Sequence, residues 1–271
     1  MTSRAPPDLS SAASPRKVLR DSLWTHVLPA VLAGGILLWV ALSIRWSFVS
    51  ELEFGFLWPY RWALLHGLLN TVILTSTAMA IGLPAGFILA AGMRAPLWPV
   101  RALTIAYVEV LRNTPLVLQL FWIHYALPLF TGHMTTVFQS GLIAMTLQSS
   151  AYLADVARTG IQAIPRGQWE AADALGVPGW SKWGEVILPQ TLKIIIPPLA
   201  NIAIGYFKAS AVLALLAVGE LMTVGVRVAN HTFKPIETLT LIGLIYLVLG
   251  YVFSTLTYRL EAVYAKSERR S

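Results

Sequence analysis

Four polar side chains recur on one face of an otherwise apolar segment between residues 137 and 159. Gln148, Tyr152, Asp155 and Thr159 follow one another at spacings of four, three and four residues, which place them on one face of a helix. Polar groups inside a membrane face a protein interior or a wet cavity rather than lipid chains. The Asp155 carboxylate can therefore receive an ammonium group of a small molecule, or it can neutralise a nearby base such as Arg112 or Lys208.

A second candidate lies where a long apolar segment is interrupted by a proline. Pro115 removes a backbone donor and crowds the preceding turn, so we expect the helix to break at Thr114-Pro115. Arg112 stands beside this break, where freed backbone groups can line a cavity. A guanidinium there can hold a carboxylate with two hydrogen bonds. The plainer alternative is an ion pair between Arg112 and Glu109, three residues earlier on the same helix.

Other polar side chains within apolar segments complete the candidates for a transport pathway. A charged group in a membrane helix costs about 2.5 to 3.5 kcal/mol on insertion scales, so each needs an explanation. Lys208 either lines the pathway, extends to the membrane interface or stabilises helix contacts. Asn70 shares a helix face with Thr77 at seven-residue spacing, although polar side chains such as Thr often only bond to the backbone of their own helix. The candidate pathway residues are Asn70, Arg112, Thr114, Gln119, Tyr152, Asp155 and Lys208.

No pattern predicts a catalytic residue, a metal site or a cofactor. The chain has no cysteine, which excludes thiol catalysis and iron–sulfur clusters. The sequence shows no His-Glu-x-x-His, no Gly-x-Ser-x-Gly and no evident Ser–His pairing, and its histidines lack the spacing of metal ligands. We therefore expect a chain that is not an enzyme.

The composition places these side chains in a membrane protein. Hydrophobic residues make up 56% of the 271 residues, charged residues make up 12%, and the mean hydropathy is +0.65. A helix needs about 20 apolar residues to cross the hydrocarbon core of a bilayer. Six segments of this kind are predicted, at about residues 27–44, 61–94, 102–130, 137–159, 197–218 and 239–256.

The distribution of basic residues predicts the orientation. Six crossings place both termini on one side, and most of the 20 Lys and Arg fall in the two tails, the second connection and the loop after the fourth segment. By the positive-inside rule these regions face the cytoplasm. The net charge of +7 is then a consequence of topology, so we expect no nucleic-acid partner.

The stretch from residue 164 to 190 cannot cross a bilayer, because it contains charges of both signs together with several glycines and prolines. Between Pro165 and Gly176 it has good helix-forming sequence. Trp169, Ala172 and Leu175 recur at three-residue spacing on one face, and small residues there allow a partner to approach closely. Docking into a partner's groove is one interpretation, and a helix lying on the membrane surface is the other.

This loop resembles the EAA motif of binding-protein-dependent ABC importers, which is Glu-Ala-Ala, three residues, Gly, nine residues, Ile, any residue and Leu-Pro. The motif stands here as Glu170-Ala171-Ala172, Gly176, Val186 and Leu188-Pro189, with Val186 in place of Ile. Residues 107–121, 151–155, 161–162, 167–169 and 188–190 are similar to permeases for polar amino acids. Lys208-Ala209-Ser210 departs from the family's usual Lys-Asp-Thr-Ser or Lys-Asn-Ser-Ser.

The resemblance implies an all-α integral membrane protein with the type I ABC importer permease fold, six transmembrane helices and cytoplasmic N and C termini. The expected divisions are a disordered cytoplasmic tail at 1–23, the first transmembrane helix and a periplasmic loop at 24–62, the importer domain at 63–260 and a cytoplasmic tail at 261–271. In that family the loop, here residues 164–190, forms a coupling helix that inserts into a cleft of the ATP-hydrolysing subunit. The implied coupling residues are Glu170, Ala171, Ala172, Gly176, Leu188 and Pro189.

The resemblance also implies partners. These are two copies of an ABC ATPase subunit, a second permease subunit that is identical or related, a periplasmic substrate-binding protein, an amino acid substrate and membrane lipid. The chain lacks a Gly-rich phosphate loop, so ATP hydrolysis is expected in a separate subunit. Two alternatives stay open: an ion-coupled secondary amino acid transporter that uses Asp155 and Lys208 as a relay, and a scaffold subunit that does not touch substrate.

Overall fold

The computed structural model describes the backbone of residues 28–268 and the side chains of residues 28–257 and 259. Every regular element in that range is helical, as the predicted all-α class requires. The predicted tail at residues 1–23 lies outside the described residues. The chain divides into two compact units, Met1–Glu53 and Phe54–Ser271, and each is described by itself.

The described part of the first unit contains helix α1, Leu28–Ser43, and the short helix α2, Trp46–Ser50. The Trp46 indole N–H donates to the carbonyl of Ala41 at 2.9 Å and so fixes the turn between them. Helix α1 has 16 residues, about 24 Å at the usual rise, and no buried side chain within the described chain. It is the first apolar segment that the sequence predicts.

The second unit consists of helices joined by short turns. In chain order its elements are a 3₁₀ turn at Gly55–Tyr60, α3 at Arg61–Gly92, α4 at Trp98–Asn113, α5 at Leu116–Phe121, a π-helical turn at Trp122–Ala126, α6 at Leu127–Thr131, α7 at Val137–Gln162, α8 at Arg166–Ala174, α9 at Gly179–Ser181, a π-helical turn at Lys182–Ile187, α10 at Leu188–Ala209, a 3₁₀ turn at Ser210–Leu216, α11 at Leu221–Thr232 and α12 at Pro235–Glu268.

Within residues 28–268, three stretches are long and apolar enough to cross a membrane: Gly55–Gly92, Gly179–Leu216 and Pro235–Thr257. A fourth stretch is formed by Trp98–Asn113 and Leu116–Thr131 together, if these two parts, which are bent by 108° relative to each other, count as one span. Helix α7 is long enough to cross a membrane, but it is not apolar enough to be counted among these stretches. Half of its 26 residues are buried because other helices surround it, and four of these thirteen are polar: Ser140, Gln148, Ser149 and Ser150. The six-crossing count stays a prediction.

Helix α7 packs closely against α3 through two glycines one turn apart. A Cβ atom on Gly86 would lie 2.8 Å from the backbone carbonyl carbon of Leu153, so only glycine fits there without movement of a helix. At Gly82 the obstacle is Ser149, whose hydroxyl donates to the Ala78 carbonyl at 3.0 Å. Small residues allow helix backbones in membranes to approach in this way. A core of fully buried side chains forms where α3 and α7 meet α5 and the 3₁₀ turn at Ser210–Leu216. It includes Leu74, Ala78, Leu120, Ala144, Met145 and Leu213.

The predicted start of the fifth segment near Pro197-Pro198 was wrong. Helix α10 begins at Leu188 and runs through both prolines to Ala209. Pro189 occupies the first turn, where its fixed backbone angle suits helix initiation. The sixth helix also begins earlier than predicted, at Pro235, for the same reason.

Candidate functional site

Proline interrupts the helix between α4 and α5, and two glutamine side chains form hydrogen bonds across the break. Thr114 and Pro115 are extended, with ψ of 139° and 138°, so the helical hydrogen bonds stop there. The Gln119 amide donates to the Leu111 carbonyl at 2.8 Å and to the Thr114 hydroxyl at 2.7 Å. The Gln148 amide donates to the Thr114 carbonyl at 3.3 Å. Backbone groups freed by the proline are therefore held by side chains from α5 and α7.

Three charged side chains meet beside this break. Asp155 of α7 accepts from Arg158 at 2.6 Å and pairs with Nη1 of Arg112 at 3.1 Å. Arg112 also lies over the Tyr152 ring, 5.5 Å from its centroid, and the Tyr152 hydroxyl donates to the Arg112 carbonyl at 3.3 Å. Two guanidinium groups and one carboxylate leave a formal charge of +1. The Nε atoms of Arg112 and Arg158 are buried and have no hydrogen-bond partner in the described part of the chain.

The structure thus brings together five of the seven candidate pathway residues: Arg112, Thr114, Gln119, Tyr152 and Asp155. Of the two interpretations of Asp155, it shows neutralisation of Arg112. The predicted alternative of a Glu109–Arg112 ion pair was wrong, because Glu109 is exposed and accepts from the Asn113 amide at 2.9 Å. The extra partner, Arg158, was not identified from the sequence, although its three-residue spacing from Asp155 was visible there.

Asn70 and Lys208 take part in other contacts. The Asn70 amide donates to the Gly219 carbonyl at 2.9 Å and ties α3 to the turn before α11. Lys208 is exposed on α10 and borders a cavity of about 420 Å³ together with Tyr246, Tyr251 and Ser254 of α12. No contact of Lys208 with Asp155 occurs among the described residues.

Glu220 is a fully buried carboxylate that sequence reasoning missed. It caps the N-terminus of α11, accepting from the backbone N–H groups of Met222 at 2.8 Å and Thr223 at 2.6 Å. The Thr223 hydroxyl at 2.9 Å and the Tyr246 hydroxyl at 3.0 Å also donate to it. Four donors therefore surround this buried carboxyl group, and two of them are backbone N–H groups at a helix N-terminus. The sequence signal that could have identified this cap is an acidic residue three positions before Thr223, at the start of a helix.

A second missed contact joins a histidine to a serine. His124 Nδ1 lies 3.0 Å from the Ser140 hydroxyl, which is fully buried, although the sequence indicated no such pair. The Ser140 hydroxyl also contacts the Thr135 hydroxyl at 2.7 Å and the Thr136 carbonyl at 3.1 Å. The cluster joins the π-helical turn at Trp122–Ala126 to the start of α7. In residues 28–268 no carboxylate contacts His124, so a Ser–His–acid arrangement is not formed there.

The loop at residues 164–190 has the predicted helix, α8, with a defined stop. Gly176 adopts φ +66°, the left-handed region, and its N–H donates to the Asp173 carbonyl at 3.0 Å. The Val177 N–H reaches back to the Ala172 carbonyl at 3.0 Å. These two bonds form a Schellman motif, which satisfies the last carbonyls of the helix. The helix end therefore depends on glycine at position 176.

Side-chain contacts brace α8 against the segment that follows it. Lys182 pairs with Asp173, and the Trp169 and Trp183 rings pack edge to face at 5.3 Å. The Gln190 amide donates to the Gln168 side chain at 3.3 Å and so joins α8 to α10. Contacts of this kind make α8 and the start of α10 one braced unit.

The sequence pattern placed Ala172 on the surface of the loop that meets a partner, but the structure does not. This side chain is buried, 4% exposed, so it faces the protein and not a partner, and its small size lets α8 lie close to the rest of the chain. Leu175 and Trp180, on either side of Gly176, are 81% and 78% exposed. Of the other predicted coupling residues, Glu170, Ala171, Gly176, Leu188 and Pro189 are all exposed.

Comparison with known proteins identifies the family of this chain. Residues 82–265 match the family model of the binding-protein-dependent transport system inner membrane component. The chain belongs to this family. The resemblance identified from the EAA motif is thereby confirmed, and the protein is a multi-pass inner membrane component of a transport system rather than an enzyme.

Individual relatives agree with the family. The chain is 34% identical over 204 residues to the arginine transport system permease protein ArtQ of Bacillus subtilis, covering 75% of this chain and 93% of that one. It is 37% identical over 194 residues to the inner membrane amino-acid ABC transporter permease protein YhdY of Escherichia coli, covering 71% of this chain and about half, 50%, of that one. A crystal structure of an amino acid ABC transporter with histidines superposes with a TM-score of 0.73 at 33% identity, covering 78% of this chain and 99% of that one.

Proposed function

We propose that this chain is the permease subunit of an ATP-driven importer that moves polar amino acids across the inner membrane by alternating access. It crosses the membrane six times with both termini in the cytoplasm. It works with a second permease subunit, two ATPase subunits and a periplasmic substrate-binding protein. Membership of the binding-protein-dependent family and the names of the relatives support this proposal.

The observation that carries the proposal is the exposed, braced loop with full EAA spacing. A helix packed into its own chain would hide its large apolar side chains, but Leu175 and Trp180 project outward beside the left-handed Gly176. Aromatic and aliphatic side chains of this kind are the usual anchors of protein interfaces. We assign this surface to the ATPase subunit, with Glu170 and Ala171 on the same helix.

For the substrate pathway we assign Arg112 to the carboxylate of the amino acid. Its Nη1 pairs with Asp155, and its buried Nε has no hydrogen-bond partner among the described residues. A guanidinium with an unpaired N–H group can bind a carboxylate through two hydrogen bonds. Asp155, shared by two guanidinium groups, is a positioning residue rather than a receptor for ammonium. Asn70 and Lys208 stay predicted pathway residues of a separate region.

The test is uptake of labelled amino acids by the complete complex reconstituted in vesicles with its binding protein and ATP. Arg112→Gln should reduce uptake by about 10- to 100-fold, the range for loss of a hydrogen bond from a charged group. Glu109→Gln on the same helix is the matched control and should keep uptake near the unmodified level. If Arg112→Gln transports normally in an assembled complex, the chain is a scaffold that does not touch substrate.

The ion-coupled alternative predicts a different result in the same vesicles. A relay through Asp155 and Lys208 would give uptake by this chain alone, driven by an ion gradient and indifferent to ATP. The described contacts favour the ATP-driven function, because Asp155 pairs with Arg112 and Arg158 instead. Gradient-driven uptake without the ATPase subunit would overturn the proposal.

A further inference from the structure

A cavity of about 320 Å³ lies between α3, α10 and α12, away from the Arg112 site. Its walls include Met79 of α3, Ala203 and Phe207 of α10, and Phe253 and Leu256 of α12. These three helices belong to the stretches that are long and apolar enough to cross a membrane. The cavity is partly open.

The lining selects an apolar occupant. Its described polar side chains are the hydroxyl groups of Thr75, Ser76 and Thr257, and none of the described side chains that line it is charged. An amino acid zwitterion would lose its hydration there without gaining a counter-charge, which is unfavourable. The side chains that line a partly open apolar cavity lack van der Waals contacts unless a molecule fills it. A hydrocarbon chain of a bilayer lipid matches this lining.

A basic residue lies on the face of α10 that lines the cavity, closer to the start of the helix. Lys193, Ala200 and Phe207 follow one another at seven-residue spacing on α10, which keeps them on nearly one side of the helix. Ala200 and Phe207 line the cavity, and Lys193 lies about 10 Å further toward the loop that contains α8. Lys193 is exposed. A single Lys or Arg side chain near an anionic membrane surface gains about 1 kcal/mol of electrostatic attraction.

We propose that the cavity holds one acyl chain of an anionic phospholipid from the cytoplasmic leaflet, with the phosphate bound by Lys193. The side of the membrane rests on the topology given under the proposed function; occupancy by an acyl chain does not depend on which substrate is carried. The cavity is then a lipid site on the permease, separate from the carboxylate site at Arg112. It couples the packing of α3, α10 and α12 to the lipid composition of the inner leaflet.

The test is photolabelling of the purified complete complex in nanodiscs with phosphatidylglycerol that carries a diazirine on its acyl chain. Labelled peptides identified by mass spectrometry should come from the cavity walls on α3, α10 and α12. Ala203→Phe fills the cavity and should remove most of this label. Ile88→Phe adds the same ring at a 72% exposed position of α3 and should leave it unchanged. If Ala203→Phe does not assemble, Ser76→Phe fills the cavity from α3.

The headgroup contact is tested with phosphatidylcholine as the neutral probe. Wild type and Lys193→Arg should label more strongly with phosphatidylglycerol, and Lys193→Gln should lower this preference by about fivefold, the effect of one basic side chain at an anionic surface. Equal labelling of Ala203→Phe and wild type would overturn the proposal. Cross-links from the cavity walls to a second copy of the permease would also overturn it. Labelling that persists when uptake is absent would contradict the proposed function and leave the lipid site standing.

Discussion

Replacing Gly176 by Val should uncouple the loop at residues 164–190 from ATP hydrolysis. Gly176 has φ +66°, and an added Cβ atom meets nothing within 4 Å, so the effect is one of backbone conformation and not of collision. An L-residue in the left-handed region costs about 1 to 2 kcal/mol, and a β-branched residue is among the least tolerant. The cost falls on the Schellman motif that ends α8.

A change of this size alters an equilibrium by a factor of about 5 to 30. ATP hydrolysis stimulated by the substrate-loaded binding protein should fall by that factor in proteoliposomes, while membrane insertion and assembly stay intact. Gly176→Asn should retain more activity, since Asn tolerates the left-handed conformation. Gly184→Val is the matched control, because Gly184 lies in the same loop, has open space around it and lacks a positive φ. Equal loss at both glycines, or no loss at Gly176, would refute the reasoning.

The remaining predictions concern the packing that holds the site. Gly86→Ala should destabilise the purified protein by about 1 to 3 kcal/mol, the usual range for overpacking, because its Cβ meets the Leu153 backbone at 2.8 Å; Gly205→Ala, with open space, should leave thermal unfolding unchanged. Glu220→Gln should lower the melting temperature in detergent more than Tyr246→Phe. The first replaces one acceptor oxygen by a donor among buried donors, which costs about 1 to 3 kcal/mol, and the second removes one of four hydrogen bonds. Similar melting temperatures for these two variants would contradict the assigned role of Glu220.

The break in the third segment and the α8 helix were predictable because local chemistry decides them. Pro115 cannot continue a helix, and Pro165 and Gly176 bound a stretch of strong helix formers. Both features appear in the structure at the predicted places. The spacing of the EAA motif also identified the family, since it combines several positions in one loop.

Contacts between distant helices were not predictable from local pattern. Arg112 had Glu109 within reach on its own helix, yet it pairs with Asp155 because α4 and α7 pack together at the break. Glu220 lies just beyond the predicted end of the fifth segment, and no local pattern predicts its burial. Its burial comes from α3 and α12 closing around the start of α11. Ala172 fell on the wrong side for a similar reason, because the direction of α8 relative to its own chain is a tertiary property.

Cross-linking from single cysteines in the α8 loop tests the central claim most directly. The chain has no native cysteine, so Leu175→Cys introduces one reactive thiol on the exposed surface, and Ala172→Cys places the same group one turn away in a buried position. In native membranes, Leu175→Cys treated with a short bifunctional reagent should join a nucleotide-hydrolysing polypeptide, and Ala172→Cys should do so far less. Absence of that adduct from Leu175→Cys, in membranes where the chain is expressed and transports, would contradict the assignment of this loop as the docking site of the ATPase subunit.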